Sequence, residues 1–125
     1  MVKSISYTLA AIVLCIGLFI FSEIYIKTQF NEFSSALDAL YSKIENQTAT
    51  REDGTAVRTL WNEKKSKLQV LLPHNDISYL DYWLSETCGL LYNGEYALAL
   101  GKVEVLKEIA KNLPDAYCIR LENIF

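Results

Sequence analysis

From Ser4 to Ser22 the chain carries no charged residue, and Ile, Leu, Val, Phe and Ala fill most of the stretch. About 18 or more uncharged, mainly apolar residues are enough for an α-helix to cross the ~30 Å hydrocarbon layer of a bilayer. Lys3 closes the run on one side, and Glu23 and Lys27 on the other. Tyr7 and Tyr25 stand near its two ends, where amphipathic rings favour the membrane–water interface. The pattern predicts a transmembrane helix over about 4–26, within an anchor of about 1–27, and a water-facing module from about 28 onward.

A cleaved signal peptide would end in small residues after a short apolar core. Here the run is longer and its exit reads Phe19-Ile20-Phe21-Ser22-Glu23, with bulky residues where a peptidase needs small ones. Cys15 follows Leu14, which does not suit a lipoprotein signal. The expectation is therefore an uncleaved signal-anchor in a cell membrane, passing once. Its three residues before the run are expected in the cytoplasm and its module outside it. Of the 12 basic residues all but Lys3 and Lys27 follow Thr28, and of the 15 acidic ones all but Glu23 do. The water-facing part is thus net acidic, which argues against binding nucleic acid or hugging anionic lipid. The bilayer is the expected partner, together with a protein in the membrane or a second copy of the chain.

From Ile26 the apolar positions read Ile26, Phe30, Phe33, Leu37, Leu40 and Ile44, in steps of four and three. This seam packs helix on helix. Neither Pro nor Gly interrupts Leu18 to Ala49, so one helix of roughly 60 Å from about Ile5 to Asn46 is expected, half in lipid and half outside. A polar break follows, and Asn46-Gln47-Thr48 within it matches an N-glycosylation acceptor. A second helix over about 51–72 has the stripe Val57, Leu60, Trp61, Leu68, Leu71 and Leu72. Its opposite face, Arg58, Lys64, Lys65 and Lys67, reads as solvated, and Pro73 should end it. Asn75 or Asp76 should cap a third helix over about 76–92, which is apolar nearly all round and so central or covered by a partner. Asn93-Gly94 makes a tight link to an antiparallel fourth helix over about 95–113, stopped by Pro114. The tail of about 114–125 ends in Ile124-Phe125, which could fold back. No alternating strand pattern competes, and the fold class is all-α: an N-terminal transmembrane helix continuing into a membrane-proximal bundle of three to four antiparallel helices.

The order of these features resembles the small bacterial membrane proteins of domain-of-unknown-function family 4363, over essentially the whole chain. The matching elements are the Trp61 helix, the His74-x-Asp76 turn, the Gly94-Glu95-Tyr96-Ala97 hairpin start, the Leu113-Pro114 stop and the Leu121-Glu122-Asn123-Ile124-Phe125 end. Gly54 near the start of the second helix departs from that pattern. The resemblance implies an architecture and assigns no activity.

Catalytic equipment is sparse. His74, the single histidine, lies near one acid, Asp76, whereas zinc sites take three or four ligands, so a local helix-entry role is expected. Cys15 reads as a small apolar residue of the span. A Cys88–Cys118 bridge would strain the tail to its limit, since antiparallel return puts Leu113 about 21 Å from the level of Cys88. No catalytic residue, metal ligand or cofactor site is assigned, and the chain is not expected to be an enzyme. The leading expectation is a non-enzymatic interaction or accessory module whose candidate face is Tyr79, Tyr82, Trp83 and Tyr92. The alternative is a small-ligand-binding or sensory bundle with a Tyr- and Trp-lined pocket near His74.

Overall fold

The computed structural model describes the backbone of residues 1–122 and the side chains through Ala116. The expected fold-back of Ile124-Phe125 and the side chain of Cys118 lie outside the described residues. Four helices make up the chain: α1 (Val2–Glu45), α2 (Arg51–Leu68), α3 (His74–Tyr92) and α4 (Tyr96–Glu122). α1 packs on α2 and α4, and α3 on the same two, so the helices form a closed four-membered ring.

α1 is long because nothing in it breaks a helix. At 1.5 Å per residue, its 44 residues extend about 65 Å. Its first half, Val2 to Leu18, is exposed throughout and touches no other helix face. Two hydroxyls of the uncharged run satisfy themselves: those of Thr8 and Ser22 donate to the Ser4 and Leu18 carbonyls, each at 2.9 Å. Such i−4 bonds hide the donors that hydrocarbon would penalise. The helix is long and apolar enough to cross a membrane. Its second half turns inward, and all six seam residues, Ile26, Phe30, Phe33, Leu37, Leu40 and Ile44, are buried in one core.

That core is centred on Trp61 of α2, whose ring lies 4.9 Å from Phe33 and 6.2 Å from Phe30. α3 contributes Ile77, Leu80, Leu84 and Leu91, and α4 contributes Ala99, Val103, Leu106 and Ala110. Gly54, inside α2, sits where a Cβ would meet Leu91 Cδ1 at 3.0 Å and Cys88 Sγ at 3.5 Å. Glycine there lets α2 approach α3 closely.

The helix ends differ from the expectations in three places. α2 stops at Leu68 rather than Leu72, because the turn Gln69–Leu72 needs non-helical residues to reverse the chain. The N–H groups of Leu71 and Leu72 both donate to the Leu68 carbonyl at 2.9 Å, and Leu72 drops back into the core. α3 starts at His74, not Asp76, and Pro73 rather than Asn75 or Asp76 holds the cap position in extended geometry, with no side-chain cap. Asp76 instead lies in the first turn, where a carboxylate complements the helix dipole. Pro114 does not stop α4, which continues to Glu122. An interior proline costs about 3 kcal/mol or more of helix stability. Here it is buried on the side of α4 that faces α1, and the packing of two long helices outweighs the local loss.

Two matching helix ends frame the bundle's far pole. At each, the first residue past the cap has a left-handed backbone, Gln47 at φ 57 and Gly94 at φ 73. The N–H groups of Thr48 and Gln47 donate to the carbonyls of Lys43 and Ile44 at 2.8 and 2.9 Å, and Glu95 and Gly94 repeat the pattern on Leu90 and Leu91.

Candidate functional site

α3 carries the expected interaction face, and the structure brings three of its four residues together. Trp83 is half-buried between α3 and α4, and the rings of Tyr79 and Tyr82 meet it edge-on at 6.1 and 6.0 Å. Tyr79 and Tyr82 are 53% and 64% exposed, so the cluster is an aromatic surface and not core. Edge-to-face pairing suits the ring quadrupoles. Lys102 of α4 lays its ammonium 4.5 Å from the Trp83 ring centre and pairs with Glu86 at 3.3 Å. Trp83 Nε1 is buried with no acceptor in reach. Tyr92 does not join this cluster: it lies under the Arg51 guanidinium, 4.4 Å from its ring centre, at the α2–α3 contact.

Sequence reasoning missed the Lys102 clamp. The signal was the Asn93-Gly94 link, which sets α3 and α4 in register and puts residues equally far from the turn opposite one another; Glu86 and Lys102 are such a pair.

A second polar cluster joins α2 to α3. Trp61 Nε1 donates to Asp81 Oδ1 at 2.6 Å, and Lys65 Nζ donates to Asp81 Oδ2 at 2.8 Å. Arg58, Asn62 and Ser85 line the small hollow beside it, of about 180 Å³. Asp81 thus accepts at both oxygens and serves as a tie between helices. The basic face of α2 is correspondingly not a free solvated face. Lys64 is buried in the helix interface and pairs with Glu32 of α1, and Lys65 is engaged by Asp81. A buried ammonium is tolerated only with such a partner.

His74 is exposed at the start of α3, with Nε2 3.3 Å from the Ser78 hydroxyl. Among the described residues no three His, Cys, Asp or Glu side chains converge as metal ligands would. A shallow hollow of about 310 Å³ lies nearby between α3 and α4. Tyr79 lines it along with Asp76, Ile109 and Leu113, but His74, Tyr82 and Trp83 do not. Among the described residues, this hollow therefore brings Tyr79 alone, of the expected Tyr and Trp residues, near the start of α3. A larger hollow of about 570 Å³ between α1 and α4 is lined by mixed charges, including Lys27, Asp38, Glu104, Lys107 and Lys111. Lys107 closes part of it by pairing with Asp38 at 3.3 Å. Cys88 is a free thiol whose Sγ donates to the Gly54 carbonyl at 3.5 Å. Burial pushes its pKa up, which keeps it protonated and a poor nucleophile.

Together these features define an all-α bundle carried on a helix long enough to span a membrane, with an aromatic surface as its most distinctive face. The chain belongs to the family described as a domain of unknown function, DUF4363, whose model matches residues 20–124. The match covers the bundle and the last part of the uncharged run. No curated protein and no solved structure matches the chain.

Proposed function

We propose that this chain is a non-enzymatic interaction module held at a cell membrane by α1, with its bundle outside the cytoplasm. Its partner, a membrane-associated protein or a second copy, docks on the α3 face formed by Tyr79, Tyr82 and Trp83. The observation that carries this reading is the exposure of two tyrosines braced edge-on against a tryptophan, whereas among the described residues the other large aromatics of the bundle are buried or engaged. Tyr and Trp are enriched at the centres of protein interfaces because they bury much area with few rotatable bonds. The braced rings have already lost part of the entropy that docking would cost.

A photoreactive amino acid replacing Tyr82, activated in native membranes, tests the face. The expected result is one discrete adduct, weakened by Tyr79→Ala, whose mass tells a second copy from another protein. A probe at Glu63, exposed on α2, should give no such adduct. Equal crosslinking at Tyr82 and Glu63 would overturn the assignment. Sidedness is read separately: a membrane-impermeant thiol reagent should label Gln47→Cys on intact cells, and labelling only after lysis would reverse the orientation.

A further inference from the structure

We infer that the α2–α3 turn, through Val70 and Leu71, is a second membrane contact: an apolar tip that sits in the interfacial layer of the same leaflet from which α1 emerges. The inference rests on α1 as a membrane span and is independent of the aromatic face.

The argument starts from register. α1 and α2 run antiparallel, and two ion pairs fix their alignment, Lys43 with Asp53 and Lys64 with Glu32. Each step along α2 past Lys64 therefore descends one step along α1 below Glu32. Leu68 comes level with about Thr28 and Val70 with about Ile26. The uncharged run ends at Ser22, four residues further down, so Val70 stands about 6 Å above the end of the apolar segment. The polar interfacial layer on each side of a bilayer is itself roughly 5–8 Å deep. The turn thus reaches into that layer.

Its composition suits the location. Val70 is 84% exposed and Leu71 40% exposed, side by side at the tip of a turn. Their neighbours Leu68 and Leu72 are both buried, so the turn is pinned to the core on either side and its two outward residues cannot fold away. A single exposed aliphatic residue elsewhere on the bundle would call for no explanation. Here the pair lies on the pole from which the apolar half of α1 extends, and Lys67 and Lys27 are exposed nearby, Lys27 paired with Glu23 at 3.6 Å. α4 reaches the same pole: from the Lys107–Asp38 pair, its last described backbone residue, Glu122, comes level with about Glu23. The bundle therefore meets the membrane through a footprint around the exit of α1, with the α2–α3 turn as its apolar point. A second contact away from the α1 axis would hold the bundle at a set tilt and so set the height of the α3 face.

The test places single cysteines in the full chain with Cys15, Cys88 and Cys118 changed to Ala, labels them with an environment-sensitive fluorophore, and reconstitutes the protein in phosphatidylcholine vesicles. Quenching by nitroxide lipids of shallow and deep label position is compared for Val70→Cys, for Gln47→Cys at the opposite pole, and for Ile12→Cys in the span. Leu71→Cys repeats the measurement should Val70→Cys not fold, and circular dichroism checks each variant. The inference expects shallow-lipid quenching at Val70 several-fold above that at Gln47, with deep-lipid quenching at Ile12. Quenching at both Val70 and Leu71 equal to that at Gln47, with Ile12 still quenched, would overturn the turn contact and leave the span intact. Loss of quenching at Ile12 would remove the span and this inference with it.

Discussion

Gln47 holds the end of α1 in a backbone conformation that penalises any residue with a side chain. Its φ of 57 lies in the left-handed region, where an L-residue pays roughly 1–2 kcal/mol and glycine pays none. The corresponding position after α3 is Gly94, and the Asn93-Gly94 pair announces that turn in the sequence. Nothing about Asn46-Gln47-Thr48 announces the other, because glutamine is no left-handed former; the closing bonds from Thr48 and Gln47 to Lys43 and Ile44 impose the conformation. Gln47→Gly should raise stability by roughly 0.5–1 kcal/mol, the relief of strain less the extra entropy glycine gives the unfolded chain. Denaturant unfolding in detergent reads this as a higher midpoint with an unchanged slope. Gly94→Gln should move the midpoint the other way. Lys64 shows the opposite kind of illegibility: its charge predicts solvent, yet its place in the Val57–Trp61–Leu68 stripe puts it indoors, where Glu32 compensates it.

At the scale of the element, α2 depends on its first turn. Thr50 and Asp53 form a reciprocal cap: Asp53 N–H donates to the Thr50 hydroxyl at 3.3 Å, and Thr50 N–H donates to Asp53 Oδ2 at 2.8 Å. Lys43 of α1 donates to the other carboxylate oxygen at 2.9 Å, so one residue both starts α2 and fastens it to α1. The Lys43 ammonium, then the Thr50 N–H, hold the Asp53 carboxyl below its ordinary pKa. A carboxyl with a lower pKa folded than unfolded stabilises the fold fully above the unfolded value, near 3.9, and loses that contribution as pH falls through the lowered one. Asp53→Asn should therefore cost about 0.5–1 kcal/mol at pH 7, the low end of a cap's worth because Lys43 is well exposed to water. Melting the two proteins across the acid range should show the gap closing below the ordinary aspartate range; a gap that persists would mean the carboxylate charge plays no part. The helix boundaries divide on the same physical line. Proline 73 rules out helical continuation at its predecessor, but cannot say how much turn the reversal needs. Proline 114 signals a stop that α4 overrides, since its local cost is smaller than what side-by-side packing on α1 returns.

For the whole molecule, the decisive contrast runs along α1. Its first half is exposed and its second half supplies the core seam, so one continuous helix joins the apolar segment to the bundle. Leu14→Arg, at the middle of the uncharged run, should cost roughly 2.5–3.5 kcal/mol of membrane insertion by biological insertion scales. Alkaline extraction of membranes should then release a larger share of the variant than of the wild-type chain, while an exposed bundle change such as Glu63→Arg should release none. Equal release of Leu14→Arg and wild type would mean that the run does not sit in hydrocarbon. Periodicity and hydropathy alone determined the all-α class, a helix long and apolar enough to cross a membrane, and the seam from Ile26 to Ile44, because each depends on local spacing that survives whatever the rest of the chain does. The tertiary structure decided which of the aromatic residues of α3 stand together, that Tyr92 serves Arg51 instead, that Asp81 ties Trp61 to Lys65, and that the α2–α3 turn lies at the pole of the bundle from which the apolar half of α1 extends. Those outcomes depend on the register between helices distant in sequence, and register is set by pairs such as Lys43–Asp53 and Lys64–Glu32, whose members no local pattern brings together.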